Sequence, residues 1–325
     1  MNPLKIISFA SKNPARRQEL KAGIDGLGSS RPLQLVFADT EADVIREVTD
    51  ADVLFCHSFT PEMLKAATRL KWIQRTDAGV EKTLFPELVE REIIVTNTRG
   101  IHGRHMAEWT LGAILYLAQR FDQAEIWKRQ REWRTPKRAM AASRFQILNR
   151  RALILGYGEI GRPVVDLLSG AGLRCEAVAA RVREAPIPIH TLDSLPEIIG
   201  RFDVVVVVLP LTRWTEDLFD EGLLSKMKTG SILVNLARGG IVDEAALIRA
   251  LREGRPVSAA LDVFREEPLP ENSPLFSVPN LFMSPHSSGN FSEYTVQAQE
   301  LFLDNLGRYL RGEPLRYVVD KRRGY

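Results

Sequence analysis

Three segments in the second half of the chain carry polar side chains where apolar runs end. "SPHSSG" at 284–289 places His286 behind the run Leu281-Phe282-Met283. "SILVNLARGG" ends in Arg238 and paired glycines, and "SAALDVFREEPLP" presents Asp262, Glu266 and Glu267 before Pro268. A lone histidine is more often structural or solvated than catalytic, and the arginine and acids read singly are surface charges. Together they have a clear chemical use. An arginine fork holds a carboxylate through two parallel hydrogen bonds, and a histidine that titrates near neutrality moves the proton that accompanies hydride transfer. A carboxylate beside the imidazole orients it.

Hydride transfer needs a dinucleotide, and "ALILGYGEIGRPVVDLLSGAG" offers a place for one. Its G-x-G-x-x-G consists of Gly156, Gly158 and Gly161, with Glu159 and Ile160 before the last, and it links a strand-like run to a helix-like one. The first glycine permits a tight turn, the second lets backbone approach a pyrophosphate, and the third lets helix and strand pack closely. Amides at the helix start then face the phosphates. The next strand, "CEAVAA", should end in an acid if it is to grip the ribose 2′-hydroxyl of NAD. Instead it runs through Ala179, Ala180, Arg181, Val182 and Arg183, with Glu176 near its beginning and Glu184 beyond the arginines. Arg181 and Arg183 suit a 2′-phosphate, so NADP is expected over NAD; if both arginines are merely solvated, NAD is the cofactor.

Ligands of open parallel sheets bind outside the carboxyl ends of the strands, so these residues converge if their segments form such a sheet. The pattern predicts one. "RALILGYG", "CEAVAA", "DVVVVVLP", "SILVNLA", "SAALDVF" and "NLFMSPH" are continuous apolar runs, as expected when both faces are covered. An earlier series, "KIISFA", "LQLVFA", "ADVLFCH", "KWIQR" and "EIIVTN", alternates with helical stretches such as "PEMLKAATRL". A helix is expected over His105–Gln130 between the two series, with Trp109, Ile114, Leu117 and Phe121 at helical spacing. A last helical pattern, Ala298, Leu301, Phe302, Leu306 and Tyr309, is expected to return to the first half. The reading is α/β, with two doubly wound parallel-sheet domains. One is discontinuous, 1–100 with 290–325. The other, 101–289, binds the dinucleotide and includes a dimerisation helix and arm at about 101–148.

Composition narrows the class. The 325 residues are 45% hydrophobic and 26% charged with a net charge of +3, values of an ordinary globular protein long enough for two domains. The basic stretch Trp127–Arg138 reads as a solvated face rather than a nucleic-acid site. Cys56 and Cys175 lie far apart in apolar runs, so neither a disulfide framework nor a metal site is expected. The longest apolar run, Val204–Leu211, is too short to span a bilayer, and the amino terminus has no signal-like core. A cytoplasmic protein without nucleic-acid, membrane or metal partners is expected.

With these segments in this order, the chain resembles the D-isomer-specific 2-hydroxyacid dehydrogenases over nearly its full length. The matching stretches are "GYGEIG", "LPLTRWTEDLF", "MKTGSILVNLARGGIVDEAAL", "ALDVFREEPLP" and "SPHSSG", with "TDAGVEK" and "NTRGIHGRHMAEWTL" upstream. The resemblance implies a flavodoxin-like substrate domain and a Rossmann cofactor domain with the active-site cleft between them. It implies that Arg238 binds a 2-oxo acid, that Glu267 pairs with His286, and that His286 protonates the carbonyl oxygen as NAD(P)H delivers hydride. Backbone amides at Ala78, Gly79 and Val80 would hold the substrate carboxylate. Asp262 would lie near the nicotinamide carboxamide and Met106 would line the nicotinamide pocket. Leu209, Pro210 and Thr212 would border the adenosine, with Ala180 and Ala237 among the cofactor contacts.

Some positions depart from the family pattern. Trp109 stands where histidine is common, "TDAG" replaces a small-residue lead-in, and the ribose acid is missing, so substrate preference does not transfer directly. The resemblance includes no counterpart of the family's additional carboxy-terminal regulatory domain, so a simple reductase is expected rather than regulated phosphoglycerate dehydrogenation. The expected activity is reduction of glyoxylate, hydroxypyruvate or a related small 2-oxo acid. An NAD-linked dehydrogenase of a larger D-2-hydroxy acid and a nucleotide-sensing, corepressor-like protein stay open. No catalytic role is expected for His57, His102, His105 or His190; His102 and His105 read as capping or solvated. A homodimer is expected, because the family makes its dimer contact through the region of "IWKRQREWRTPKRAMAASRF", where Trp127, Trp133 and Phe145 are costly to expose.

Overall fold

Runs such as Val204–Val207 leave no polar face for solvent, so their strands need cover on both sides, and both sheets provide it. The structure is a computed structural model that describes residues 2–322 and 324, apart from 81–82, 134–136, 139–140 and 142. The chain divides into two units, Met1–Ile101 with Phe291–Tyr325, and His102–Asn290.

The first unit has a five-stranded parallel sheet in the order β2-β1-β3-β4-β5. Its strands are β1 (Leu4–Phe9), β2 (Leu33–Phe37), β3 (Val53–Cys56), β4 (Trp72–Arg75) and β5 (Ile94–Thr96). The last helix, Tyr294–Arg311, covers one face. Its Phe302 stacks on Phe55 at 4.5 Å between ring centroids and on Trp72 at 5.5 Å. Val44, Met63, Leu64 and Leu88 belong to a second apolar cluster with Ile7, Leu54 and Ile73.

The second unit has seven parallel strands in the order β12-β11-β10-β9-β6-β7-β8. These are β6 (Arg151–Leu155), β7 (Arg174–Val178), β8 (Ile189–His190), β9 (Val204–Val207), β10 (Ile232–Asn235), β11 (Ser258–Leu261) and β12 (Leu281–Met283). Helices Gly103–Ala118 and Gly161–Gly170 bury Met106, Ile114, Val164 and Leu168 against Ile154 and Val206. Helices Glu221–Ser225 and Glu244–Glu253 bury Leu223 and Leu247 in a cluster with Leu155, Val207 and Leu233. The order reverses between β6 and β9, which makes their carboxyl ends a topological switch point.

One sequence expectation needs correction here, and one element was missed. The single helix over His105–Gln130 is two helices, Gly103–Ala118 and Phe121–Gln130. Between them Arg120 is left-handed (φ 55°), and its guanidinium makes two bonds to Asp122, at 3.0 and 2.8 Å. No residue of the second helix is buried, so it has no core face to continue the first. The two-residue β8 is also new, being too short to leave a periodic signal. Among the described residues no helix is long and apolar enough to cross a membrane, and no three potential metal ligands cluster. Both cysteines are buried free thiols.

Candidate active site

Strand register brings the polar segments to one edge. Pairing sets Leu155, Val207, Asn235, Leu261 and Met283 in a row across β6, β9, β10, β11 and β12. Gly156, Val208, Leu236, Asp262 and Ser284 therefore each stand one residue beyond it.

Asn235, fully buried at the end of β10, fixes the loop that carries Arg238. Its side-chain oxygen accepts from the Ala237 amide at 3.1 Å, and its side-chain nitrogen donates to the Arg238 carbonyl at 3.0 Å. The next residue must be glycine, since a Cβ on Gly239 would come within 1.9 Å of the Phe264 carbonyl carbon. That close approach seats the Arg238 loop against the segment after β11. Arg238 is half-buried, and its Nη1 donates to the Ala237 carbonyl at 2.8 Å.

Asp262 is fully buried and organises the histidine loop. Its Oδ1 accepts from the Ser284 hydroxyl at 2.5 Å and the Ser287 amide at 2.8 Å, and its Oδ2 accepts from the Ser288 amide at 3.0 Å. The His286 amide donates to the Asp262 carbonyl at 2.8 Å. These bonds hold His286 in the left-handed region, at φ 49°. That conformation costs a side-chain-bearing residue about 1–2 kcal/mol and persists where surroundings over-determine it.

Glu267 meets the histidine from the segment after β11. Its Oε1 accepts from the Phe264 amide at 2.9 Å, and its Oε2 lies 2.7 Å from His286 Nδ1. An ionised carboxylate only accepts, so the Nδ1 proton is assigned to this bond and Nε2 is left to exchange a proton. The structure thus brings together the pair Glu267–His286, with Arg238 on the adjoining loop. Asn235, Phe264 and the serines around His286 carry the geometry without having been singled out from sequence. The signal for Asn235 was a polar residue closing an apolar run in "ILVN".

The glycine loop fits a dinucleotide. Gly156 has φ +110°, and a Cβ there would lie 2.7 Å from the Val208 carbonyl across the switch point. A Cβ on Gly161 would lie 1.8 Å from the Gly156 carbonyl, so the third glycine lets the helix sit on the turn. At Gly158 a Cβ meets nothing within 4 Å. The fold itself does not require glycine there, whereas a backbone-hugging pyrophosphate would. The exposed Glu159 and half-buried Ile160 complete the turn. A Cβ on Gly103 would strike the Glu159 carbonyl at 2.4 Å, so the helix bearing the buried Met106 starts against this loop. Beyond β9, Leu209, Pro210 and Thr212 lie in a turn tied by Thr215, whose hydroxyl accepts from the Thr212 amide and donates to the Pro210 carbonyl.

Glu176, expected near the start of its strand, is the middle residue of β7 and is already engaged. It pairs with Arg151 at 2.6 Å and with His190 at 2.7 Å. Burial opposes its ionisation, but these two hydrogen bonds outweigh it and hold the carboxyl below the usual range. Past β7, Ala180, Arg181 and Arg183 are exposed, and Arg183 donates to the Tyr157 carbonyl in the glycine loop. His102, read as capping or solvated, is instead buried and makes no side-chain cap; its Nδ1 lies 3.2 Å from the Gly289 carbonyl.

In the first unit, Ala78, Gly79 and Val80 follow β4. Val80 is buried, and the Ala78 carbonyl accepts from Asn97 at 2.6 Å, which ties the loop to the chain leaving β5. The neighbouring Glu81 and Lys82 of "TDAGVEK" lie outside the described residues.

A glycine turn at a switch point, with an acid-paired histidine and an arginine at the same sheet edge, defines a dinucleotide-dependent oxidoreductase. The family model "D-isomer specific 2-hydroxyacid dehydrogenase, NAD binding domain" matches residues 111–288. A glyoxylate reductase of Thermofilum pendens is 33% identical over 285 residues, spanning 86% of this chain and 84% of that one. A D-isomer specific 2-hydroxyacid dehydrogenase family protein of Aeromonas salmonicida superposes with a TM-score of 0.86 at 31% identity, covering 98% of this chain and 100% of the other. A D-isomer specific 2-hydroxyacid dehydrogenase of Xanthobacter autotrophicus, solved with NADPH and MES, gives 0.81 at 26% identity and covers 100% of both chains. The chain belongs to the D-isomer specific 2-hydroxyacid dehydrogenases, a family of NAD(P)-dependent oxidoreductases.

Proposed function

We propose that this protein reduces glyoxylate, hydroxypyruvate or a related small 2-oxo acid to the D-2-hydroxy acid, with NADPH preferred to NADH. The observation that carries the reading is the Glu267–His286 contact at 2.7 Å on a loop fixed by buried Asp262. The Thermofilum relative's name and the NADPH of the Xanthobacter structure support it.

A dihydronicotinamide, when bound, would supply the hydride that reduces the carbonyl carbon. His286 gives its Nε2 proton to the carbonyl oxygen, and Glu267 holds the ring and stabilises the cation before the proton is passed on. Arg238 grips the substrate carboxylate as a planar fork. Gly156, Gly158, Glu159, Ile160 and Gly161 would hold the pyrophosphate, Leu209, Pro210 and Thr212 would border the adenosine, and Arg181 and Arg183 would meet the 2′-phosphate. Met106 and Asp262 would lie toward the nicotinamide, with Ala180 and Ala237 among the cofactor contacts.

The test is loss of nicotinamide absorbance with glyoxylate, hydroxypyruvate, pyruvate, phenylpyruvate and 2-ketogluconate, each with NADPH and NADH. Fast turnover of one small 2-oxo acid with NADPH is expected. Preference for NADH would remove the phosphate role of Arg181 and Arg183. Tight cofactor binding with no turnover would overturn the small-acid reading in favour of another 2-oxo acid or a nucleotide-sensing role.

We also propose a homodimer formed through the region of helix Phe121–Gln130. Phe121 and Ile126 are exposed there, and Trp133 is 86% exposed. Phe145 instead packs on its own unit's core. Residues 134–136, 139–140 and 142 of the expected arm lie outside the described residues. Sedimentation is expected to give twice the chain mass; a monomer at micromolar concentration would exclude the dimer.

A further inference from the structure

We propose that Arg162 is a third phosphate-reading cation, acting with Arg181 and Arg183 on the 2′-phosphate of NADP(H). This rests on the reading that NADPH is the preferred cofactor. Arg162 follows the third glycine on the first turn of helix Gly161–Gly170, and its guanidinium carbon lies 5.8 Å from the centre of the Tyr157 ring. Arg183, from the loop after β7, lies 5.4 Å from the same ring and donates to the Tyr157 carbonyl. One aromatic side chain, between the first two glycines, therefore gathers guanidinium groups from two separate elements.

Among the described residues no carboxylate is paired with Arg162, Arg181 or Arg183. Other arginines of the unit also lack a carboxylate partner among these residues, but Arg162 and Arg183 share one aromatic ring beside the glycine loop. Glu176, the acid on β7, is committed to Arg151 and His190. Gathering like charges without a counter-ion is unfavourable, and a phosphomonoester carrying roughly −1.5 to −2 charges relieves it. A neutral 2′-hydroxyl does not. Contact with the Tyr157 face also restrains each guanidinium, so less freedom is lost when phosphate binds.

Calorimetric titration of NADP⁺ and NAD⁺ into wild type, Arg162→Ala and Arg183→Ala tests this without turnover. Arg162→Ala is expected to weaken NADP⁺ about tenfold, the loss of a charged hydrogen bond, and to leave NAD⁺ within about twofold. Unchanged NADP⁺ affinity, or equal weakening of both cofactors, would overturn the role of Arg162. If Arg183→Ala alone loses discrimination, the NADPH reading stands and this inference falls. If wild type binds NAD⁺ as tightly as NADP⁺, both fall.

Discussion

At the residue scale, the proposed site is held by groups whose hydrogen bonds are fixed by the backbone. Glu267 is clamped by the Phe264 amide before it meets His286, so the imidazole cannot rotate without breaking a bond that the backbone has prepared. Glu267→Gln keeps the shape and removes the charge, and is expected to lower turnover at least tenfold with little change in melting temperature. Loss of fold instead would make Glu267 structural. Asp262 is the reverse case. Asp262→Ala leaves the buried Ser288 amide and the half-buried Ser284 hydroxyl and Ser287 amide without their acceptor, at about 1–3 kcal/mol for each group that stays unsatisfied. Its melting temperature should fall sharply, and an unchanged melt would show that the loop re-forms without it. His286 and Arg238 stood out as candidates because each is polar where an apolar run ends, whereas the choice of Glu267 over Asp262 and Glu266 came from the family resemblance. Asn235 and the serines were not, because what they hold is backbone, and backbone partners leave no mark in residue types.

At the element scale, the three loop glycines have different tasks, and their variants should separate. Gly161→Ala places a Cβ 1.8 Å from the Gly156 carbonyl and should cost about 1–3 kcal/mol of stability as well as cofactor binding. Gly158→Ala meets open space, so it should melt like wild type yet bind NADPH more weakly; equal affinity would place the pyrophosphate elsewhere. The foot of β6 carries an acid-sensitive network. Burial opposes ionisation of Glu176 and Asp203, but hydrogen bonds win. Arg151 and His190 bond Glu176, while Lys228 and the Arg151 amide bond Asp203, and both carboxyls lie below their usual values. A carboxyl depressed in the folded state stabilises above its unfolded pKa, about 4.3 for Glu and 3.9 for Asp, and that stability fades as pH falls through the lower folded value. Melting temperature should decline below about pH 4, and Glu176→Gln should melt lower at pH 7 with a shallower acid decline. A variant with the wild-type acid profile would show that Glu176 contributes nothing there. The broken helix at Arg120 escaped the sequence because Phe121 keeps apparent helical phase across a left-handed residue.

At the scale of the whole molecule, strand runs without alternation made two covered parallel sheets legible, since exposed faces would have demanded polar residues. Sheet order was not legible in the same way, because it is set by which strands pair, and pairing partners are distant in sequence. The glycine loop after β6 and the polar residues after β10, β11 and β12 nevertheless pointed to one sheet, and the structure places these segments at its carboxyl edge. The central claim is that His286 carries the proton of a 2-oxo acid reduction. The most direct measurement compares NADPH binding and glyoxylate or hydroxypyruvate turnover in wild type and His286→Ala. The account predicts retained NADPH affinity with turnover reduced about a hundredfold to ten-thousandfold. Near-normal turnover in that variant would contradict it.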